Sequence, residues 1–186
     1  MLGRIIGRLR VWETAAVNDE VLAAIDPQPG EIFLEIGHGS GRLLSRILNT
    51  GADAVGVEVS ETMMRQAQTR NRQAVADGRL RLLLGDGTRL PLADESVDAV
   101  AAVHTIYFWP DPQTTLAECA RMLRPGGRMV VAARDGARPL PRRVDRTIYA
   151  IPAVDQLEAW MANAGFAVTA QQALNDVLVV EATQIR

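Results

Sequence analysis

The sequence predicts an α/β fold: a three-layer sandwich in which helices cover both faces of a mostly parallel sheet. Three observations predict it. Strand-like runs alternate with helix-like patterns from residue 31 onward. The strand runs are almost continuously apolar, as expected of strands buried on both faces. The first of them, Glu31-Ile32-Phe33-Leu34-Glu35-Ile36, runs directly into Gly37, Gly39 and Gly41, and the helix pattern Arg42-Leu43-Leu44-Ser45-Arg46-Ile47-Leu48 follows at once. A strand, a glycine loop and a helix in that order form the usual cradle for a nucleotide-like ligand.

The remaining elements follow in turn. Strands are expected at 31–36, 54–58, 80–84, 97–103 and 128–133, and helices at 41–49, 60–75 and 113–123. Asp111 before Pro112 suits an N-cap and first helical position. Pro125-Gly126-Gly127 should stop that helix and turn the chain into the fifth strand. The tail reads as a helix over 153–164, a stop at Gly165, and strands at 166–171 and 177–182. The segment between these last two is too short for a crossover helix, so the last strand should run antiparallel.

Composition narrows the function classes. The 186 residues are 48% hydrophobic and 23% charged, within the range of a globular domain with one sizeable core. The net charge of −2 gives no global case for nucleic acid. Cys119 is the only cysteine, so neither an internal disulfide nor a cysteine metal cluster is available, and its helical context makes it a packing residue. No metal site is expected. No apolar run reaches the length of a membrane span, and the N-terminus lacks a secretory pattern, so a cytoplasmic location is the default. Residues 1–30 read as an N-terminal helical segment. Its stripe of Leu2, Ile5, Ile6, Leu9 and Trp12 would suit a lid or a partner chain. Residues 31–186 form the ligand-binding domain.

Acids end the first three strands: Glu35, Glu58 and, just beyond the third, Asp86. Ligands of open parallel sheets bind beyond the carboxyl ends of the strands. A carboxylate at Glu58 can accept both hydroxyls of a ribose, and one at Asp86 can accept from an exocyclic amine. Glu35 would repel a pyrophosphate but suits a cationic amine. A dehydrogenase fingerprint would need glycine at position 42, where the chain has Arg42.

The set Glu35-Ile36-Gly37-His38-Gly39-Ser40-Gly41, Glu58, and Gly85-Asp86-Gly87-Thr88 resembles the motifs of class I S-adenosylmethionine-dependent methyltransferases of the small-molecule type. Leu90-Pro91-Leu92, Ser96-Val97-Asp98 and Leu123-Arg124-Pro125-Gly126-Gly127 resemble the same family's approaches to its fourth and fifth strands. The resemblance implies a Rossmann-like sandwich of seven strands with a reversed last strand. It implies S-adenosyl-L-methionine as cofactor, held by Glu35, Gly37, Gly39, Gly41, Glu58, Val59, Asp86, Gly87 and Thr88. The implied reaction is direct methyl displacement onto a small apolar or aromatic molecule. The alternatives are a macromolecule-directed methyltransferase and a non-catalytic nucleotide-binding domain.

The segment His104-Thr105-Ile106-Tyr107-Phe108-Trp109 follows the fourth strand and resembles the loop beside the transferred methyl group. His104 is the candidate general base and Tyr107 a candidate hydrogen-bond partner for the acceptor; Phe108 and Trp109 are candidates to wall it. His38 is expected to shape the loop rather than do chemistry. Residues 121–146 carry eight arginines against two acids, a local charge of +6, which suits either a solvated face or an anionic partner.

Overall fold

The computed structural model describes residues 15–136, 151–174 and 176–185. The chain runs α1 (Ala15–Ile25), β1 (Ile32–Ile36), α2 (Arg42–Leu48), β2 (Asp53–Glu58), α3 (Glu61–Arg70), α4 (Arg72–Ala76) and β3 (Leu80–Leu84). It continues through β4 (Val97–Val103), a single 3-10 turn (Ile106–Phe108), α5 (Pro112–Met122), β5 (Leu123–Arg134), α6 (Val154–Asn163), β6 (Phe166–Leu174) and β7 (Val177–Gln184). The seven strands form one sheet in the order β3-β2-β1-β4-β5-β7-β6. All neighbours are parallel except β7, which is antiparallel to both β5 and β6. This is the Rossmann-like three-layer sandwich with a reversed last strand.

Two apolar layers follow from the alternation of side chains along the strands. On one face Phe33, Ala54, Ala99, Ala101, Val130 and Ala132 meet Val17, Val21 and Ile25 of α1 and Leu43, Leu44 and Ile47 of α2. On the other, Leu34, Val57, Val100 and Val131 meet Leu116 and Cys119 of α5 and Leu157 and Met161 of α6. Cys119 is fully buried, and burial pushes its thiol up to about 12, which makes it an inert packing residue. Helix α1 therefore belongs to the core of the domain. The stripe from Leu2 to Trp12 lies outside the described residues.

The elements depart from the sequence reading at three places. The helix expected over 60–75 is broken at Asn71, between α3 and α4. Asn71 is buried and turns its amide onto the Ala67 and Gly41 carbonyls, 3.0 and 3.2 Å away, a local competition that ends a helix. Strand β5 starts at Leu123, not 128: Leu123 pairs with Val97, and the ladder then resumes at Arg128 opposite Ala99. Pro125-Gly126-Gly127 sits inside that irregularity, where Pro125 need not donate to a ladder. The tail strands reach Leu174 and Val177, so the hairpin link is shorter than expected.

Candidate functional site

β1 is flanked by β2 on one side and β4 on the other, so the strand order reverses beside it. Loops that leave adjacent strands in opposite directions open a crevice at such a point. Gly37 follows β1, Glu58 ends β2, Asp86 lies just beyond β3 and His104 follows β4. All four thus stand along one edge of the sheet.

The three loop glycines have positive φ values of 76° at Gly37, 52° at Gly39 and 73° at Gly41, but they are needed for different reasons. A Cβ at Gly37 would lie 2.6 Å from the Cβ of Thr105, in the loop after β4. A Cβ at Gly41 would lie 2.8 Å from both Ala67 Cβ and Asn71 Nδ2, on α3 and the residue that follows it. Only Gly39 faces open space, with no atom within 4 Å of its would-be Cβ. Two of the glycines thus let the loop nest against the protein, and one leaves a bare backbone surface for a ligand.

The polar backbone of the loop is turned inward. Gly37 and His38 donate to the Val57 carbonyl at 2.7 and 3.2 Å, and Gly41 donates to the His38 carbonyl at 2.9 Å. Glu58 closes the remaining side: its carboxylate accepts from Gly39 N at 3.0 Å and from Ser60 N at 2.9 Å. Glu58 is half-buried, and the next residue, Val59, is 51% exposed, beside Leu84 at 54%. A carboxylate oxygen has more than one lone pair, so both oxygens keep capacity for a further donor.

Glu35 is buried in β1, in register with Gly56 and Ala101. His38 is buried as well. Its Nδ1 lies 2.9 Å from the Gly39 carbonyl, which makes Nδ1 the protonated nitrogen, and its Nε2 is buried without a hydrogen-bond partner among the described residues. Desolvation lowers its pKa to about 4, so the ring is neutral. The ring occupies the space over Gly56, where a Cβ would lie 2.7 Å from His38 Cδ2 and 2.8 Å from Leu44 Cδ1. A glycine inside the apolar strand Ala54-Val55-Gly56-Val57 is the sequence signal for such a close approach.

Asp86 is exposed. Thr88 folds back onto it, donating its hydroxyl at 2.7 Å and its N–H at 3.0 Å to one carboxylate oxygen. The Thr88 hydroxyl bond, then the N–H bond, hold Asp86 below the usual carboxylate range. Gly87, at φ 87°, is pressed against Ile36 and Thr115, where a Cβ would lie 3.1 and 3.2 Å from their methyl groups.

The loop after β4 is anchored rather than open. His104 is buried and has φ 54°, unusual for a residue with a side chain. Its N–H donates to the Ala132 carbonyl at 2.7 Å, and its Nδ1 lies 3.2 Å from the Tyr107 hydroxyl. The Tyr107 hydroxyl in turn accepts the backbone N–H of Arg134. Tyr107 is 2% exposed, and burial raises its phenol's pKa, so it stays protonated. Trp109 lies in the core beside α5, and Phe108 packs partly buried against the same cluster. The structure thus makes Trp109 a core residue first. The expectation of an acceptor wall rests on Phe108.

The arginine-rich stretch is committed within the molecule as far as it is described. Arg121 bonds Glu118 at 2.8 Å and Asp94 at 2.5 Å, Arg128 bonds Glu31 at 2.7 Å, and Arg124 and Arg134 pair with Asp98 and Asp176. The other four arginines lie outside the described residues. Among the described residues, no cluster of His, Cys, Asp and Glu could hold a metal ion, and no helix is long and apolar enough to cross a membrane.

The sequence model of a methyltransferase domain matches residues 34–131, more than half of the chain. The chain belongs to the class I S-adenosylmethionine-dependent methyltransferase family. It is 29% identical over 163 residues to the O-methyltransferase resE of Aspergillus sclerotiorum, covering 83% of this chain and 62% of that protein. It is 31% identical over 163 residues to an O-methyltransferase of Pyrenophora dematioidea, covering 83% of this chain and 61% of that one. The chain thus spans about three fifths of the length of these curated relatives. Geranyl diphosphate C-methyltransferase from Streptomyces coelicolor A3(2) superposes with a TM-score of 0.81 at 13% identity, over 92% of this chain and 77% of that one. At that identity the likeness is one of fold.

The matched segment 34–131 contains Gly37, Gly39, Gly41, Glu58 and Asp86. Sequence reading alone missed Ser60, Asn71 and Thr105, which hold the loop or press against it. Their signals are weak: a helix N-cap, a polar residue in a helical run, and a threonine beside the histidine.

Proposed function

We propose that this chain is an S-adenosyl-L-methionine-dependent methyltransferase acting on a small apolar or aromatic molecule. The observation that carries the reading is Glu58: its carboxylate occupies the N–H of Gly39, the one loop glycine that faces open space. A pyrophosphate cradle needs free loop amides and no anion beside them. Here the amides of residues 37, 38, 39 and 41 are all used within the protein, and a carboxylate stands at the loop. Such a surface suits a neutral sugar with hydroxyl donors and a cationic centre.

The residues present fit the cofactor of the family. Gly39 offers bare backbone, Glu58 retains lone pairs for ribose hydroxyls, exposed Val59 offers an apolar face for a base, and Asp86 is an anion available to an amine. Glu35, Gly37, Gly41, Gly87 and Thr88 are proposed to shape the same site, with Thr88 orienting Asp86. When bound, S-adenosyl-L-methionine supplies an already activated methyl group. The chain has therefore mainly to exclude water and align an acceptor. His104, at the end of β4, is the group proposed to take the acceptor's proton where the acceptor needs one. Tyr107 is proposed to hold His104 and β5 in register, since its hydroxyl meets both.

Both fungal relatives are named O-methyltransferases, which makes a hydroxyl the first acceptor group to try. The intramolecular pairing of Arg121, Arg124, Arg128 and Arg134 removes the described support for a macromolecular acceptor. Calorimetric titration with S-adenosylmethionine, S-adenosylhomocysteine and NAD tests the reading, followed by methyl transfer to a panel of phenols and terpenoid alcohols. Binding of both sulfur compounds in preference to NAD is expected. Tighter binding of NAD, or no binding of either sulfur compound, would overturn it.

A further inference from the structure

We infer that Arg70 and Asn71, at the end of α3, are positioning residues that clamp the glycine loop in its cofactor-receiving shape; the inference rests on the reading of that loop as the cofactor site. Neither residue belongs to a motif of the loop, which lies about thirty positions earlier. Arg70 Nε donates to the Ser40 carbonyl at 2.9 Å. Asn71 Nδ2 donates to the Gly41 carbonyl at 3.2 Å and to its own helix at Ala67 O, 3.0 Å. Two consecutive residues thus hold two consecutive loop carbonyls.

The Asn71 amide is also met from its other side. The Ser45 hydroxyl, one turn into α2, lies 2.6 Å from Asn71 Oδ1 and 3.0 Å from the Gly41 carbonyl. The Ala67 and Gly41 carbonyls can only accept, so Nδ2 faces them and Oδ1 is left to accept from the Ser45 hydroxyl. The fit is close enough to dictate glycine at 41, because a Cβ there would lie 2.8 Å from Asn71 Nδ2 and from Ala67 Cβ.

The consequence is a preorganised loop. The His38 carbonyl is held by Gly41 N, the Gly39 carbonyl by His38 Nδ1, the Ser40 carbonyl by Arg70 and the Gly41 carbonyl by Asn71 Nδ2 and the Ser45 backbone N–H. No carbonyl from 38 to 41 is left to turn toward the crevice, where it would repel the Glu58 carboxylate and compete with it for the Gly39 N–H. A ligand then meets a loop whose ordering cost has already been met, which raises affinity without a new contact. Glycine-rich backbone without such a clamp would lose that ordering entropy on binding.

The test separates affinity from stability. Arg70 is exposed, so Arg70→Met keeps the stem and the fold while removing the donor to Ser40. S-adenosylhomocysteine affinity should fall about threefold in Arg70→Met and about tenfold in Asn71→Ala, by calorimetry. Arg70→Lys, which keeps a donor, should recover most of the loss. Amide exchange in the ligand-free protein should quicken at Gly39 and Gly41 in both weakened variants. Folded Arg70→Met and Asn71→Ala proteins with wild-type affinity and wild-type exchange overturn the clamp, whatever their melting temperatures. Faster loop exchange with a wild-type protein that binds neither sulfur compound overturns instead the cofactor reading beneath it.

Discussion

Gly37 and Thr105, at the ends of β1 and β4, touch across the point where the strand order reverses: a Cβ at Gly37 would lie 2.6 Å from Thr105 Cβ and 3.2 Å from its methyl. The contact ties the loop proposed to hold the cofactor to the loop proposed to meet the acceptor. Gly37 also needs φ 76°, a conformation costly for any residue with a Cβ.

Gly37→Ala should therefore damage both sides of the site. The backbone strain alone costs about 1–2 kcal/mol, and the clash displaces Thr105. Replacing Thr105 by glycine in the same protein removes the clash but not the strain. The double variant Gly37→Ala/Thr105→Gly should then melt at a higher temperature than Gly37→Ala alone. Gly39→Ala, which clashes with nothing in the protein, should fold with only the strain cost and still lose cofactor binding. Thermal melts and calorimetry on these three variants and the wild type check both statements. A Gly39→Ala protein with undiminished affinity would show that the ligand lies elsewhere.

Glu58 carries a double load. Its carboxylate accepts two backbone N–H groups before any ligand arrives. Glu58→Ala should lower cofactor affinity by about ten- to a hundredfold through lost charge-assisted bonds. It should also destabilise the ligand-free protein by roughly 2 kcal/mol, since the Gly39 and Ser60 amides lose their partners. Glu58→Gln keeps one acceptor oxygen and should fall between the two. Loss of affinity with an unchanged denaturation midpoint would mean that the loop holds its shape without Glu58.

Much of this arrangement is legible in sequence because it is local. The run from Glu31 to Leu48 encodes its strand, loop and helix by pattern, and Glu58 and Asp86 announce themselves by ending apolar runs. The division of labour among Gly37, Gly39 and Gly41 is not legible, because it depends on Thr105, Ala67 and Asn71, which tertiary packing brings to them. The same holds for Tyr107. Its position after β4 suggests an acceptor contact, whereas its hydroxyl is met by the backbone of Arg134, a strand away. The arginine-rich stretch looks like a surface stripe in sequence; Asp94, Asp98, Glu31 and Asp176, distant along the chain, neutralise its described part.

His38 gives the domain a pH dependence of stability with a definite sign. Unfolded, its imidazole protonates near 6.5; folded, burial holds it neutral to about 4. Between those values the unfolded chain binds more protons, so stability is complete above 6.5, falls as the pH drops toward 4, and changes no further below. The full span is worth about 3 kcal/mol as an upper figure. A proton added at Nε2 would enter a buried position with no acceptor among the described residues. His38→Gln should flatten the part of the denaturation-midpoint curve between pH 7 and 4 that carboxylates do not explain. A variant with the same slope as the wild type would assign that slope to the carboxylates alone.

His104 offers the sharpest separation of stability from chemistry. Its φ of 54° lies in the left-handed region, and its side chain is buried against Tyr107. Glycine adopts that backbone freely and alanine does not. Against the usual order, His104→Gly should therefore be more stable than His104→Ala, by about 1 kcal/mol. Asparagine tolerates the same region, so His104→Asn should keep the loop while removing the imidazole. All three variants should retain near-normal cofactor affinity, because the proposed grips lie on the ends of the first three strands. Their methyl transfer distinguishes the roles of His104. If it takes a proton, His104→Asn should lower the rate by roughly 10²–10⁴-fold and flatten the acid limb of the pH–rate profile. If it only holds Tyr107 and the loop, His104→Asn should transfer at a rate close to that of the wild type, with the acid limb intact. Tyr107→Phe is the companion measurement: it removes the acceptor for the Arg134 N–H and should cost roughly 1–3 kcal/mol of stability. A Tyr107→Phe protein that melts like the wild type but transfers no methyl group would return the phenol to direct contact with the acceptor.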